Sequence, residues 1–307
     1  PQGPATGRIL GQRRPPAREE AAVKRKQEHW KVFMAKNNEH YKQLKAYEDI
    51  DFLKHDECRP VRLQLEYLKP NVLMRERGIQ ATIVIMGSAR IPSPEQAAYE
   101  LEEAKRKKTE YPNSAGIQHH AAVAERMVEQ SKYYDVARRF AALLGEEARR
   151  NKGFNFVVIT GGGGGIMEAG NRGATDSGAE SVGLNISLPY EQVPNQYVTE
   201  GLCFEFHYFH MRKMHFLLRA KALCAFPGGF GTMDEVFETL TLIQTGKIPP
   251  IPVILFGREF WEETVNWQGF VDRGLIAAED LDILHFSESP EEAWEYIRNF
   301  WENESAK

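Results

Sequence analysis

One stretch decides how this chain folds and what it does: Pro227-Gly228-Gly229-Phe230-Gly231-Thr232-Met233-Asp234-Glu235. It follows an apolar, strand-like segment, residues 222–226, and leads into a helix-like segment, residues 235–243. A glycine turn between a strand and a helix leaves backbone N–H groups unpaired beside the positive end of the helix dipole, which suits a phosphate. A carboxylate repels phosphate, so the place of Glu235 here indicates chemistry rather than binding.

A second glycine turn, residues 161–165, lies between the strand-like segment 156–160 and a helix-like segment that starts at Ile166. It does not fit the dinucleotide fingerprint, and no Gly-Lys-Ser/Thr follows as in a P-loop. Two such turns after two strands of one sheet predict that a mononucleotide or a sugar phosphate is held between them. The alternative is that the five glycines only form a tight, mobile turn.

Strands and helices alternate from Thr82 onwards, which predicts a parallel sheet. The predicted strands are residues 82–86, 156–160, 181–186, 202–206, 222–226 and 253–256. The predicted helices are residues 133–150, 166–177, 211–223, 233–245, 260–273 and 291–301. We expect an α/β fold, a Rossmann-like doubly wound parallel sheet, with its ligand at the carboxyl ends of the strands.

Two further segments lie outside this alternating pattern. We predict that residues 1–78 form an N-terminal extension, disordered to about residue 20 and helical from 19 to 54, and that residues 79–307 form the Rossmann-like domain. Residues 95–131 are predicted to be a helical insert within that domain. The basic cluster Lys24-Arg25-Lys26 has acidic residues close by, so a solvated helix face is preferred over a nucleic-acid site.

Composition narrows the classes of function. The 307 residues are 42% hydrophobic, enough for a sizeable core, and the net charge of −4 favours no nucleic-acid partner. No apolar run approaches the roughly 18 residues that a membrane span needs, and no secretory leader is visible. The three separated cysteines suit a reducing compartment, so we expect a cytoplasmic protein without a membrane partner.

Histidines give only weak indications of a metal site. The pair His119-His120 has no third ligand at a recognisable spacing. His207, His210 and His215 cross from a strand into a helix, so their side chains should diverge. We therefore predict no metal, and ordinary packing or a hydrogen bond to a substrate for these side chains.

A third segment, His210-Met211-Arg212-Lys213, brings two cations to the start of a predicted helix. With the Pro-Gly-Gly-x-Gly-Thr-x-x-Glu run and the glycine turn followed by Met-Glu-Ala, it resembles the LOG ("Lonely Guy") family of phosphoribohydrolases. Members of that family cleave nucleoside 5′-monophosphates, among them AMP and cytokinin riboside monophosphates, to a free base and ribose 5-phosphate. The resemblance covers residues 82–298 and is stronger to the longer branch, often labelled AMP nucleosidase. The N-terminal extension and the insert are departures from it.

The resemblance implies a catalytic pair, Arg212 and Glu235, and at least a homodimer that needs no cofactor. Cleavage of an N-glycosidic bond builds positive charge on the ribose, which the carboxylate of Glu235 could stabilise while it orients or deprotonates water. Arg212 could stabilise the departing purine or fix the phosphate. Met211 could cover the base or, equally, belong to the core. The candidate substrate-binding residues are Ser88, Arg90, Gly162, Gly163, Gly164, Asn195, Met211, Lys213, Gly228, Gly229, Gly231, Thr232 and Thr241.

Two other functions stay open at this point. The same turns could belong to a non-catalytic module that binds or senses a nucleotide, although Arg212 and Glu235 argue against it. Relatives are also often labelled lysine decarboxylase, a pyridoxal-phosphate chemistry that needs a lysine Schiff base. No lysine here has a distinctive setting of that kind, and Lys213 lies in the cationic pair instead.

Overall fold

A computed structural model describes residues 44–150, 156–188 and 193–305, and the chain divides into two compact units, Pro1–Arg62 and Leu63–Lys307. In the first unit, helix α1 (Ile50–Leu53) begins where Oδ1 of Asp49 accepts a hydrogen bond from the Phe52 N–H. A 3₁₀ turn, Asp56–Cys58, follows it. The predictions for residues 1–43 lie outside the described residues.

The second unit is built on a sheet of seven strands, all parallel. Their bounds are β1 Ala81–Met86, β2 Phe156–Thr160, β3 Ser181–Ile186, β4 Cys203–Phe206, β5 Ala220–Ala225, β6 Val253–Phe256 and β7 Leu284–Ser287. The strand order is β4-β3-β2-β1-β5-β6-β7. The chain therefore winds outward from β1 in one direction and returns to the other side of β1 for β5, which makes the sheet doubly wound and confirms the predicted fold class.

Helices cover both faces of the sheet. Their bounds are α2 Arg59–Glu76, α3 Pro94–Glu110, α4 Ala115–Gln130, α5 Lys132–Arg150, α6 Ile166–Asp176, α7 Phe209–Leu217, α8 Phe230–Gln244, α9 Arg258–Thr264, α10 Trp267–Asp272 and α11 Pro290–Ser305. A 3₁₀ segment, Ala278–Ile283, precedes β7. No helix in the described part of the chain is long and apolar enough to cross a membrane.

The strands are apolar on both sides because each face of the sheet has its own core. Ile83 and Ile85 of β1 pack in one cluster with side chains of α5, α6 and α11. Val84 and Met86 point to the opposite face, where side chains of α2, α7, α8 and α9 complete a second cluster. Helices α7 and α8 thus share one core, which fixes their positions at the carboxyl edge of the sheet.

Several elements differ from the predicted ones. The insert is helical as predicted, in two helices, α3 and α4. Helix α7 ends at Leu217 rather than at residue 223, because β5 already begins at Ala220. The predicted helix 260–273 is two short helices, α9 and α10, and β7 was not predicted at all. The second unit begins at Leu63, earlier than the predicted boundary at 79, since α2 buries Met74 in its core.

Candidate active site

The candidate site lies where the winding of the sheet reverses, at the carboxyl ends of β1 and β5. These two strands pair directly, so the segments that follow them meet at one edge. Ser88 joins three loops there: its N–H donates to the Pro227 carbonyl at 3.1 Å, and its carbonyl accepts from the Ile166 N–H at 3.1 Å. The sequence motifs after β1, β2 and β5 are therefore in contact, as expected for a ligand site at a switch point.

Glycine is required at two points of these loops for different reasons. Gly162 has a φ of +70°, and a Cβ there would collide with the side chain of Asn185. Gly228 has an ordinary backbone, but a Cβ would overlap the side chain of Thr232. In contrast, a Cβ on Gly229 would meet nothing within 4 Å. The space above Gly229 is open, which leaves room for a ligand to approach the backbone.

Helix α8 begins directly after this open space. Its N-cap is Gly229, and no side chain caps the helix. The N–H groups of Phe230, Gly231 and Thr232 therefore lack intrahelical acceptors and stand at the positive end of a helix of 15 residues. Such a terminus favours an anion.

Glu235 lies on the buried face of α8, one turn beyond this terminus. Thr232, Glu235 and Thr239 are 6%, 7% and 0% exposed. A Cβ on Gly231 would lie 4.0 Å from Oε2 of Glu235, so the carboxylate is directed towards the start of its own helix. The unpaired N–H groups at the start of α8, which we call the N–H cradle, and the carboxylate of Glu235 thus face the same region.

Arg212 of α7 is the cation nearest to Glu235. Its Nη2 lies 3.4 Å from Oε1 of Glu235, and its Nε is buried with no acceptor among the described residues. The guanidinium also lies 5.2 Å from the ring centre of Phe209 and 5.7 Å from that of Phe216. The two residues that the sequence singled out as a catalytic pair are therefore neighbours in the fold.

Burial controls the protonation of this pair. It raises the pKa of Glu235 to about 7, although Arg212 pulls the pKa down. Burial likewise lowers the pKa of Arg212, against the attraction of Glu235. Both pKa values move towards the neutral forms, so desolvation outweighs the mutual attraction of the two charges. A carboxyl that titrates near neutral pH is suited to acid–base work.

Lys213, the next residue along α7, forms ion pairs with acidic side chains of α8. Its Nζ lies 2.9 Å from Oδ1 of Asp234 and 3.2 Å from Oε2 of Glu238. Burial lowers the pKa of Lys213, but the hydrogen bonds to these carboxylates outweigh it, and the pKa is raised above its ordinary value. Lys213 thus ties α7 to α8 beside the Arg212–Glu235 pair.

Asn195 supports the glycine turn after β2. Its N–H donates to the Gly162 carbonyl at 2.8 Å, and its Nδ2 donates to the Gly163 carbonyl at 2.9 Å. Nδ2 also donates to Oδ1 of Asn171, which accepts a further bond from the hydroxyl of Thr160. Asn171 is fully buried and was not predicted. The only sequence feature that could have pointed to Asn171 is an asparagine on the inner face of the helix that follows such a turn.

The remaining candidates lie in different places. Arg90 is exposed and forms no ion pair with a described residue, and its N–H donates to the hydroxyl of Ser88. Met211 is 9% exposed and belongs to the core shared by α7 and α8, which favours its alternative as a core residue. Thr241 donates to the Phe237 carbonyl of its own helix and lines a separate apolar cavity with Trp267. Among the described residues, no three histidine, cysteine or acidic side chains are grouped closely enough to hold a metal ion.

Comparisons with known proteins agree with the motifs. Residues 167–297 match the family model described as "Possible lysine decarboxylase". The chain is 29% identical over 154 residues to the cytokinin riboside 5′-monophosphate phosphoribohydrolase LOG2 of Arabidopsis thaliana, a match that spans 48% of this chain and 67% of the plant protein.

Two solved structures were also found at 19% identity. One is the X-ray structure of TM1055, with a TM-score of 0.43 over 71% of this chain and 99% of that one. The other is the molybdenum cofactor binding protein from the phototrophic bacterium Rippkaea orientalis, with a TM-score of 0.41 over 72% of this chain and 97% of that one. The sequence matches, together with the motifs that meet at the switch point, confirm the resemblance of this chain to the LOG family.

Proposed function

We propose that this protein is a phosphoribohydrolase that cleaves the N-glycosidic bond of purine nucleoside 5′-monophosphates. The observation that carries the proposal is the first turn of α8. It presents the unpaired N–H groups of Phe230, Gly231 and Thr232 beside the open space at Gly229 and then, one turn on, the buried carboxylate of Glu235. A rise of about 1.5 Å per residue sets Glu235 about 4.5 Å beyond Thr232 along the helix axis. A ribose 5-phosphate likewise carries its phosphate and its anomeric carbon at different ends of the sugar.

The phosphate would be held by the loop and helix terminus after β5. The N–H groups of Phe230, Gly231 and Thr232 and the hydroxyl of Thr232 supply donors, and Gly228 and Gly229 keep the approach free of side chains. The glycine turn at residues 162–164 closes the other side. Arg90, exposed and without an ion pair to a described residue, is available to a phosphate oxygen.

The reaction would proceed through positive charge on the ribose. The ionised carboxylate of Glu235 stabilises that charge and orients or deprotonates the attacking water. Arg212 stabilises the leaving purine or fixes the phosphate, and its charge favours the ionised form of Glu235. The C–N bond breaks with its electron pair on the purine, the hydroxyl of the attacking water bonds to the anomeric carbon to give ribose 5-phosphate, and the proton released by that water ends on the purine, which departs as the free base.

The substrate that we propose is AMP or an N6-modified adenine riboside monophosphate, handled in the cytoplasm. The test is incubation of the protein with a panel of nucleoside monophosphates and assay of free base and ribose 5-phosphate. AMP should be cleaved far faster than adenosine, because only AMP has a phosphate for the cradle. Equal rates on AMP and adenosine would contradict phosphate binding at the start of α8. If the wild-type protein released no base from any nucleotide, the proposed hydrolase activity would be contradicted.

A non-catalytic nucleotide-binding module is the second candidate. It would bind AMP with no turnover, and Glu235→Gln would then leave its behaviour unchanged. The buried Glu235 disfavours this function. A buried carboxyl with a pKa of about 7 destabilises the fold when it is ionised, and a site that only binds nucleotide has no use for it. Decarboxylation through a lysine Schiff base is disfavoured by Lys213, whose pKa is raised, whereas such chemistry needs a neutral amine.

We also propose that the chain works as a homodimer or larger assembly. Phe230, at the start of α8, is 96% exposed, and Phe209, at the start of α7, is 51% exposed. Large apolar side chains of this kind beside a site are typical of a surface that is covered by a partner. Light scattering of the purified protein should show at least a dimer, and an active monomer would refute the proposal.

A further inference from the structure

Helix α7 carries Arg212, yet its own sequence does not secure its first turn. The N-cap is Tyr208, and no side chain of the segment caps the helix there. The two N–H groups that lead into the helix find their acceptors on another element. The His207 N–H donates to Oε1 of Glu66 at 3.0 Å, and the Tyr208 N–H donates to Oε2 of the same carboxylate at 3.2 Å. Glu66 belongs to α2, far away in the sequence.

The same residue also contacts the other end of α7. Nε2 of His215 lies 3.1 Å from the backbone carbonyl of Glu66. A carbonyl only accepts, so Nε2 carries the proton, and burial lowers the pKa of His215, which keeps the ring neutral. The ring is 1% exposed and packs against Tyr67 and Phe206. Glu66 thus holds the two ends of α7 through its side chain and its backbone.

Arg212 lies between these two contacts. Its N–H donates to the Tyr208 carbonyl at 3.2 Å, so the turn that Glu66 caps is the turn that carries Arg212. Two charge-assisted bonds fix that turn more firmly than neutral ones would, and the negative charge of Glu66 also suits the positive end of α7. A shift of α7 would therefore change the distance of 3.4 Å between Nη2 of Arg212 and Oε1 of Glu235.

We propose that Glu66 is a positioning residue for the glycosidic cleavage: by clamping the first turn of α7 it holds Arg212 against Glu235. The role rests on the proposed hydrolase function. Glu66 touches neither Arg212 nor Glu235 among its described contacts and acts through the backbone of α7. Its loss should therefore slow the reaction through a misplaced Arg212 rather than through a lost substrate contact.

The experiment compares wild type with Glu66→Ala and Glu66→Gln. Gln keeps one acceptor oxygen but turns an amide group towards the second N–H, so it should be intermediate. The control is Glu76→Gln, at the exposed end of the same helix and without an ion pair to a described residue. Removal of the clamp should lower kcat for AMP by roughly ten- to a hundredfold, the usual effect of a displacement near 1 Å, while KM changes less.

A second measurement needs no turnover. The charged groups facing Glu235 are Arg212 and Lys213 from α7 and Asp234 from its own helix. Of the two cations, Arg212 lowers the pKa of Glu235 more. If Glu66→Ala displaces Arg212, the pKa of Glu235 should rise further. Carbon NMR of labelled glutamate carboxyls, assigned with Glu235→Gln, follows this titration directly.

The outcomes separate the two proposals. A lower kcat and a higher pKa of Glu235 in Glu66→Ala, with Glu66→Gln intermediate and Glu76→Gln like wild type, support the clamp. Normal kcat in Glu66→Ala overturns it, as does a lower melting temperature with an unchanged pKa of Glu235, which would make Glu66 merely structural. If Glu66→Ala does not fold, Glu66→Gln is judged by the same criteria. A wild-type protein that releases no base refutes the hydrolase instead, and the titration still decides whether Glu66 positions Arg212.

Discussion

Glu235→Gln should stabilise this protein, and the gain should depend on pH. Gln has nearly the same shape as Glu but no charge. Because burial raises the pKa of Glu235 from an ordinary 4.5 to about 7, the folded protein keeps a proton on this carboxyl at pH values where the unfolded chain has released it. The folded state then binds more protons than the unfolded state, so stability falls as pH rises through this range and levels off above about pH 7.

The size of the gain follows from the same two pKa values. At about 1.4 kcal/mol per pH unit, the rise from 4.5 to about 7 corresponds to a cost of about 3 kcal/mol for ionised Glu235. The neutral Gln variant avoids this cost. Its free energy of unfolding should equal that of wild type near about pH 4 and exceed it by up to about 3 kcal/mol at about pH 8. For a chain of 307 residues, that is a rise in melting temperature of about 5 °C.

Thermal or urea unfolding of both proteins from about pH 4 to about pH 8 measures the effect. Glu263→Gln serves as control, since Glu263 is exposed on α9 and forms no ion pair with a described residue, so its variant should follow wild type at every pH. A Glu235→Gln protein that is less stable than wild type at about pH 8 would refute the reasoning. It would mean that the attraction of Arg212, at 3.4 Å, outweighs the desolvation of the carboxylate.

Three further outcomes are expected. Turnover of AMP by Glu235→Gln should fall by roughly two to four orders of magnitude while nucleotide binding, measured by calorimetry, survives or tightens; near-normal turnover would make Glu235 structural. The rate of the wild-type enzyme should rise with pH through an apparent pKa near 7, because the reaction needs the ionised form of Glu235, and a rate that falls over this range would assign the carboxyl to acid catalysis instead. Gly229→Ala should keep the melting temperature but raise KM for AMP, since its Cβ meets only open space, whereas Gly228→Ala should lower the melting temperature through its clash with Thr232; equal effects of the two would argue against a phosphate above Gly229.

The central strands could be predicted from the sequence because they are buried on both faces. The runs 156–159 and Val253–Phe256 are continuously apolar, and a glycine follows within two residues of the end of each, so their limits are visible. The strand Leu284–Ser287 was not predicted because two of its four residues, His285 and Ser287, are polar. Its place at an edge of the sheet is not sufficient as a reason, since the opposite edge strand, Cys203–Phe206, was predicted.

Helix α2 was not predicted from the sequence, for another reason. Pro60 lies at its start, where proline is tolerated, and Pro70 lies inside it, where proline removes a backbone bond. Local sequence therefore argued against a helix, but Pro70 and Met74 are buried, and the packing of this face outweighs the loss. Tertiary burial overrides local preference at this point, and no pattern confined to α2 reveals it.

The residues of the candidate site also differ in whether local sequence predicts them. The glycine turns and Glu235 were visible because their chemistry is local: a turn, a helix terminus and a carboxylate one turn on. Asn171 and Glu66 were not visible, since each acts on a loop that is distant in the sequence. Met211 was ambiguous from the start because a methionine serves both a core and a ligand site, whereas Thr241 was predicted only as a substrate contact. Only the packing of α7 and α8 distinguishes these two uses.

The contact between Arg212 and Glu235 is looser than stability alone would favour. A carboxylate and a guanidinium that only had to be buried together would form two parallel bonds at about 2.8 Å, whereas a single approach at 3.4 Å joins this pair, and Nε of Arg212 has no acceptor among the described residues. A tighter pair would hold the carboxylate ionised but turned towards the guanidinium and away from a sugar. The looser pair leaves the carboxylate free to face positive charge that develops on a ribose, and Arg212 free to face a leaving group. In the proposed reaction, the arrangement that costs stability at this contact also keeps both groups available to the substrate, so the unfolding experiment tests the burial of Glu235 and the rate measurement tests its chemistry.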